Sequence, residues 1–242
     1  MSIWIRLGDL VSRVSSAAET GVVEVLDAVR TLFAGDPQLR RNVAFSIAMI
    51  ALSAKMAKAD GVVTHHETRA FQQIFAIPEQ EARNVARLYD LAKGDIAGYE
   101  VYAERMAALC GSGRPNCAML EDILDGLFFI ATADGHVHER EISFLRRIAA
   151  IFDIEDRHFE SILSRHADAG TADPYVVLGV ERGLPFAEIR KRYRALAAAN
   201  HPDRLIARGI PEEFIAIANA RLAAINAAYE TIERGRRRVA TR

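Results

Sequence analysis

Long apolar runs are what this chain of 242 residues lacks most plainly. The best of them, Val43 to Ala54, falls short of the roughly 18 to 20 apolar residues that a bilayer-spanning helix needs, so no transmembrane helix is expected. Cysteine is scarce as well, with only 2 in the chain, Cys110 and Cys117. They flank a Gly-Ser-Gly-Arg-Pro-Asn loop, and no secretory signal precedes them. A disulfide-framed secreted domain is therefore excluded, and two thiols in a reducing compartment are the expectation. No P-loop is present and neither cysteine has an evident base, so neither nucleotide hydrolysis nor thiol catalysis is indicated. β-Branched alternation is missing too, and with abundant alanine this points to an all-α protein.

What the chain does have is charge, unevenly placed. The formal net charge is -1, yet residues 173–242 carry 13 Lys+Arg against 8 Asp+Glu, while residues 1–172 carry 18 against 24. A basic C-terminal module thus follows an acidic N-terminal one. The cluster from Arg234 to Arg242 is the best candidate footprint for nucleic acid. No zinc finger, RNA-recognition motif or aromatic-interleaved basic strand accompanies it. Cations are favoured at a helix C-terminus, and no nucleic-acid partner is expected.

The basic module reads as a helical hairpin. Ile189, Tyr193, Leu196 and Ala197 form one helical stripe between Phe186 and Asn200, and Arg190, Arg194 and His201 form another. Like charges four residues apart cost an isolated helix a few tenths of a kcal/mol, so Arg190 and Arg194 do not serve helix stability. Pro202 has no amide hydrogen and disfavours a helical His201, which ends the helix and turns His201 and Asp203 outward. A loop, 204–211, follows. A second helix is predicted from about Pro211 to Glu233, with Phe214, Ala218, Leu222, Ile225, Tyr229 and Ile232 as a seam against Ile189, Tyr193 and Leu196.

Asp-Pro-Tyr-Val-Val-Leu-Gly-Val at 173–180, Ile-Arg-Lys-Arg-Tyr-Arg-Ala-Leu-Ala at 189–197, His201-Pro202-Asp203 and Ile225-Asn226-Ala227-Ala228-Tyr229-Glu230 together resemble a J domain. The apolar loop after the tripeptide looks like the DjlA type. The resemblance implies a co-chaperone that stimulates ATP hydrolysis by a DnaK-type partner. His201, Pro202, Asp203, Arg190, Lys191 and Arg194 would be the contact residues. Ala195 and Ala199 stand where many relatives carry basic residues, which thins the cationic face.

The acidic half contains a repeat. Ala59-Asp60-Gly61-Val62-Val63 with Glu67 recurs as Ala133-Asp134-Gly135-His136-Val137 with Glu141, at an offset of 74 residues. Each copy sits between apolar helices, near Phe45–Met56 and Glu67–Phe75 in the first and Ile123–Ile130 and Glu141–Phe152 in the second. Two duplicated helix-turn-helix units in one bundle follow. The pattern resembles the TerB family, found ahead of J domains in DjlA-like proteins. That resemblance implies a divalent-metal site on Asp60, Glu67, Asp134 and Glu141, with His65, His66, His136 and His138 nearby.

Turn and cap chemistry also accounts for these residues. Gly61 and Gly135 can close a helix in the left-handed conformation, Thr64 with Glu67 makes a capping box, and Val137 with Ile142 makes a hydrophobic staple. Two carboxylates per turn do not fill a hard-cation shell unless the turns meet. No complete ligand set is fixed by the sequence, so caps and a metal site remain alternative readings.

The expected organisation is an amphipathic helical segment at 1–39, a TerB-like bundle at 40–165, a linker at 166–172 and a J domain at 173–242. The first segment carries a stripe of Ile3, Leu7, Leu10, Val11 and Val14 with Trp4 beside it. Packing on the bundle, on a second copy of the chain, or in a membrane interface all fit that stripe. The short polar linker implies a tethered but mobile J module. DjlA-like relatives often carry an N-terminal membrane span, which this chain is not expected to have. The resulting expectation is a cytoplasmic protein, or one peripheral on the cytoplasmic face of the membrane, without catalysis of its own. Its bundle would recruit a client, a membrane-associated complex or a metal signal. A metal-dependent sensor or enzyme with an accessory tail, and a scaffold with an inactive hairpin, are the alternatives.

Overall fold

Apolar side chains on every side of one helix make it the centre of a bundle rather than its surface. Helix α1, Pro37–Asp60, fits this description: from Val43 to Ala57 every residue is buried. Its polar members are accommodated locally. The Ser46 and Ser53 hydroxyls donate to the carbonyls of Asn42 and Met49 in the same helix, and the Lys55 ammonium lies 5.2 Å from the centroid of the Tyr102 ring. The run Val43 to Ala54 is thus a core helix. The computed structural model describes residues 5, 35–60, 77, 79–94, 98–108, 117–133, 135, 137–167, 172–208 and 210–240. Among them every regular element is helical, and no helix is long and apolar enough to cross a membrane.

Around α1 pack α2 (Ala82–Gly94), α3 (Tyr99–Ala107), α4 (Ala118–Ala131) and α5 (Glu139–Ile151), and α6 (Asp156–Arg165) joins the same core through Phe159, which meets Phe128 of α4. Three of them present a short apolar stripe, Val85, Leu88 and Ala92 on α2, Tyr102, Ala103 and Met106 on α3, and Phe159 and Ile162 on α6, whereas α4 is buried along most of its length. The turn between α4 and α5 is the second copy of the repeat. Gly135 there has φ 100°, a conformation that needs glycine. The Glu141 side chain reaches back to accept from the His138 amide at 2.9 Å. It supplies the return half of a capping box.

The remaining helices are α7 (Pro174–Leu178), α8 (Phe186–Ala199), α9 (Pro202–Arg208), a 3₁₀ turn at Glu212–Phe214 and α10 (Ile215–Ala240). Asp173 caps α7 by accepting from the Tyr175 amide at 3.0 Å, and Gly179 ends it at φ 62°. Val177, Leu178, Ile189, Ile225, Ala228 and Ile232 form a small second core, against which Tyr193, Leu196 and Tyr229 pack.

Four expectations need correction. The stretch after the tripeptide is not simply a loop, because Pro202 suits the first position of a helix as well as it ends one, and α9 begins there. The seam of α10 does not pack on α8 along its whole length. Phe214, Ile217 and Ala218 belong to the bundle core together with Leu205 and Ile210, and only the later turns pack on the hairpin. The J-like module is therefore not a loosely tethered body: Phe214 meets Phe45 of α1 edge-on at 4.8 Å, and the Gln38 side chain donates to the Ile206 carbonyl at 3.0 Å. Lastly, Cys117 is no free thiol but disulfide-bonded, with its partner outside the described residues; the sequence holds one other cysteine, Cys110.

Candidate functional site

Where α8 stops and α9 starts, the tripeptide forms an exposed tip. The His201 side chain is 54% exposed and that of Asp203 87%. The Asp203 amide donates to His201 Nδ1 at 3.3 Å, and the Asp203 carboxylate lies 3.5 Å from the same nitrogen. With Nδ1 accepting, the neutral form of the His201 ring carries its N–H donor on Nε2. Pro202 fixes the turn between the two side chains, and the amides of Arg204 and Leu205 both donate to the His201 carbonyl.

The cations of α8 divide into two kinds. Lys191 is exposed, with Glu188 at 3.8 Å, and Arg194 is exposed one turn nearer the tip. Arg190 instead ties the hairpin together: its Nε donates to the Tyr229 hydroxyl at 3.2 Å, and its guanidinium lies over the Phe186 ring at 5.2 Å. The hydrogen bond to Tyr229 raises its pKa. Tyr229 is itself stacked between Tyr193 and Phe186, at 4.1 and 5.9 Å. The sequence presents Arg190 as a partner contact, and the structure adds this internal role.

Behind the tip lies a charged cluster that no sequence motif marks. Arg221 of α10 is buried, and its guanidinium donates through Nη1 to Asp122 Oδ1 at 2.5 Å and through Nε to Asp125 Oδ2 at 2.7 Å. Both aspartates belong to α4, and both are buried. Nη1 also donates to Asn200 Oδ1 at 3.0 Å, on the residue immediately before His201. Arg221 Nη2 is buried without a hydrogen-bond partner among the described residues. On its other oxygen Asp125 faces Arg165 Nη1 at 3.5 Å and His166 Nε2 at 3.2 Å, and His166 stacks on Phe128.

Burial alone would push the Asp125 carboxyl up. Arg221, Arg165 and His166 outweigh it and hold the group far below the ordinary carboxylate range. Burial likewise opposes the charge of Arg221, but Asp125 and Asp122 prevail and raise its pKa. At Arg165 burial wins over Asp125 and lowers the pKa, though an arginine stays protonated at any ordinary pH. A weaker sequence signal for this cluster does exist: Arg221 falls on the buried stripe of α10, and Asp122 and Asp125 lie three apart on an otherwise apolar helix. Charges on an apolar stripe seldom occur without partners.

The candidate metal ligands are not brought together by the described residues. Asp60 ends α1, Glu141 is buried and committed to the α5 N-terminus, and Asp134 and Glu67 lie outside the described residues. So do Gly61, Thr64, His65, His66, His136, Trp4 and the stripe residues Ile3, Leu7, Leu10, Val11 and Val14. No group of three or more metal-ligating side chains occurs among the described residues. A carboxylate already bonded to its own helix start is poorly suited as a ligand.

Two family patterns match the chain: "Tellurite resistance protein TerB" over residues 46–164 and "DnaJ domain" over residues 173–240. The co-chaperone protein DjlA of Photobacterium profundum is 29% identical over 229 residues, covering 80% of this chain and 78% of the relative. DjlA of Coxiella burnetii is 28% identical over 75% of this chain and 73% of its own length, and that of Vibrio cholerae 28% over 84% and 82%. No solved structure gives a significant match. Both patterns lie in the order that the two cores follow along the chain, which carries a TerB domain followed by a DnaJ domain and is similar to DjlA co-chaperones over about 80% of its length.

Proposed function

We propose that the chain stimulates ATP hydrolysis by a DnaK-type chaperone, using the His201-Pro202-Asp203 tip and the adjacent face of α8, and performs no chemistry of its own. One observation carries this reading: His201 and Asp203 are exposed while the residues bracketing them are held, so the tip is both accessible and fixed. Asp203 would accept a paired hydrogen bond from an arginine of the partner, a geometry that is selective as well as strong. Lys191 and Arg194 would steer association toward an acidic surface, with Arg190 contributing from its place in the hairpin. We take residues 40–165 as the TerB bundle, 166–172 as the connection and 173–242 as the J domain. The bundle would select where stimulation happens, by recruiting a client or a membrane-associated complex at the cytoplasmic face.

The test is single-turnover ATP hydrolysis by the DnaK-type partner, with wild type and His201→Gln. Wild type should accelerate hydrolysis, and the substitution should abolish the effect while circular dichroism stays unchanged. Equal acceleration by both proteins would refute the mechanism.

A further inference from the structure

The tip is held from behind by the other domain, and this goes beyond a co-chaperone with a separate recruiting module. On the N-terminal side of the tripeptide, Asn200 ends α8. Its amide and its Nδ2 both donate to the Leu196 carbonyl, at 2.9 and 2.8 Å, and its Oδ1 accepts from Arg221. On the C-terminal side, the Leu205 amide donates to the His201 carbonyl, and its side chain is buried in the bundle core beside Phe214 and Ile217. Between these anchors the side chains of His201 and Asp203 are exposed. Arg221 is itself oriented by Asp122 and Asp125 of α4, which accept from two of its nitrogens. With its fork aimed at α4, Nη1 is left at a position from which it also reaches Asn200.

We propose that Arg221 is a positioning residue for the chaperone-contact tip, set by the Asp122 and Asp125 carboxylates of the TerB domain and acting through Asn200, so that the bundle fixes the geometry of the J-domain tip. This rests on the chaperone-stimulating reading above. Physically, the strut lowers the conformational freedom of the Asn200–His201 junction before the partner arrives, and a pre-organised contact loses less entropy on binding. The arrangement also couples the domains: a change in α4 that withdraws either aspartate alters the aim of Arg221, and with it the tip. A lone arginine buried for docking alone would need no bond to the residue before the tripeptide.

The experiment is a double-mutant cycle on the full chain. Stimulation of single-turnover ATP hydrolysis is measured against concentration for wild type, Asn200→Ala, Asn200→Asp, Arg221→Met and the double variant Asn200→Ala/Arg221→Met. One charge-assisted hydrogen bond gives an expected loss of about tenfold in the half-stimulating concentration for Asn200→Ala, with little change in thermal stability. Asn200→Asp keeps the acceptor and should retain stimulation. The double variant should be no worse than Arg221→Met, because the strut can be removed only once. Wild-type stimulation by Asn200→Ala, or losses that multiply in the double variant, would overturn the proposal. If Arg221→Met does not fold, the contrast between alanine and aspartate at position 200 decides alone. Hydrogen exchange of the backbone from 201 to 205, in wild type and Asn200→Ala without any chaperone, separates this inference from the function it rests on. Faster exchange in the variant supports the strut even if wild type and His201→Gln prove equally inactive as stimulators, and unchanged exchange overturns it.

Discussion

Replacing Arg221 by leucine should destabilise the protein in a way that acid partly repairs. The substitution leaves Asp122 and Asp125 buried and takes from both the guanidinium they share, while Asp125 keeps Arg165 at 3.5 Å. Removing one partner of a buried ion pair costs about 3–5 kcal/mol, because the other charge is left without compensation. For a chain of this size about 2–4 °C of melting temperature accompanies each kcal/mol, so thermal unfolding followed by circular dichroism should shift down by about 6–20 °C. In wild type the Asp125 pKa is depressed by its cations, so its stabilisation is complete above the ordinary carboxylate range and is lost only as pH falls below it. Between about pH 7 and pH 5 the Asp125 carboxyl therefore adds no slope. In the variant the Arg221 charge is gone and burial opposes the ionised form of Asp122, so protonation relieves the penalty as pH falls. The gap between variant and wild type should therefore narrow from about pH 7 to about pH 5. A loss under about 1 kcal/mol, or a gap that widens on acidification, would refute the reasoning.

Other substitutions probe other parts of the fold. Phe214→Ala removes the ring that meets Phe45 edge-on, and should cost about 3–5 kcal/mol in chemical denaturation. Gly135→Ala places a β-carbon at φ 100° and should lose about 1–2 kcal/mol by the same measurement, although no atom stands within 4 Å of the new methyl. Glu141→Ala leaves the His138 amide without its acceptor, for about 1 kcal/mol; a larger loss that depends on added divalent cation would reveal a ligand role instead. Lys191→Ala with Arg194→Ala should raise the half-stimulating concentration at about 0.1 M salt and much less at about 1 M, where screening has removed their steering.

The helical class is legible in the sequence because it depends on local pattern. Alanine, the stripe of Ile189, Tyr193 and Leu196, and the glycine at 135 each act within a turn or two. The glycine of the second repeat copy is legible for the same reason, and the cap at Glu141 is of the kind that Thr64 with Glu67 suggests for the first copy. Pro202 reads as a stop and is also a start, since one ring constraint serves both roles. Local pattern does not carry the joining of the two domains. Treating the α10 seam as a single stripe selects Leu222 at the position where Arg221 is the buried residue, one step off and on the charged side. Asp122 and Asp125 belong to no motif, and their role depends on a residue 96 and more positions away. The bond at Cys117 is hidden for a related reason: the number of cysteines speaks to compartment, whereas a bond depends on where the chain places them.

The division of α10 between two cores bears on how the protein comes into being during synthesis. The bundle helices leave the ribosome first, yet Phe45 and its neighbours on α1 and α4 obtain their cover only when Phe214 and Ile217 arrive. Until then the nascent bundle carries an open apolar face, of the kind that general chaperones hold. The same dependence makes residue 172 a poor place to cut: a fragment ending there would keep α1 to α6 and lose the side chains of Phe214 and Ile217 that pack on them.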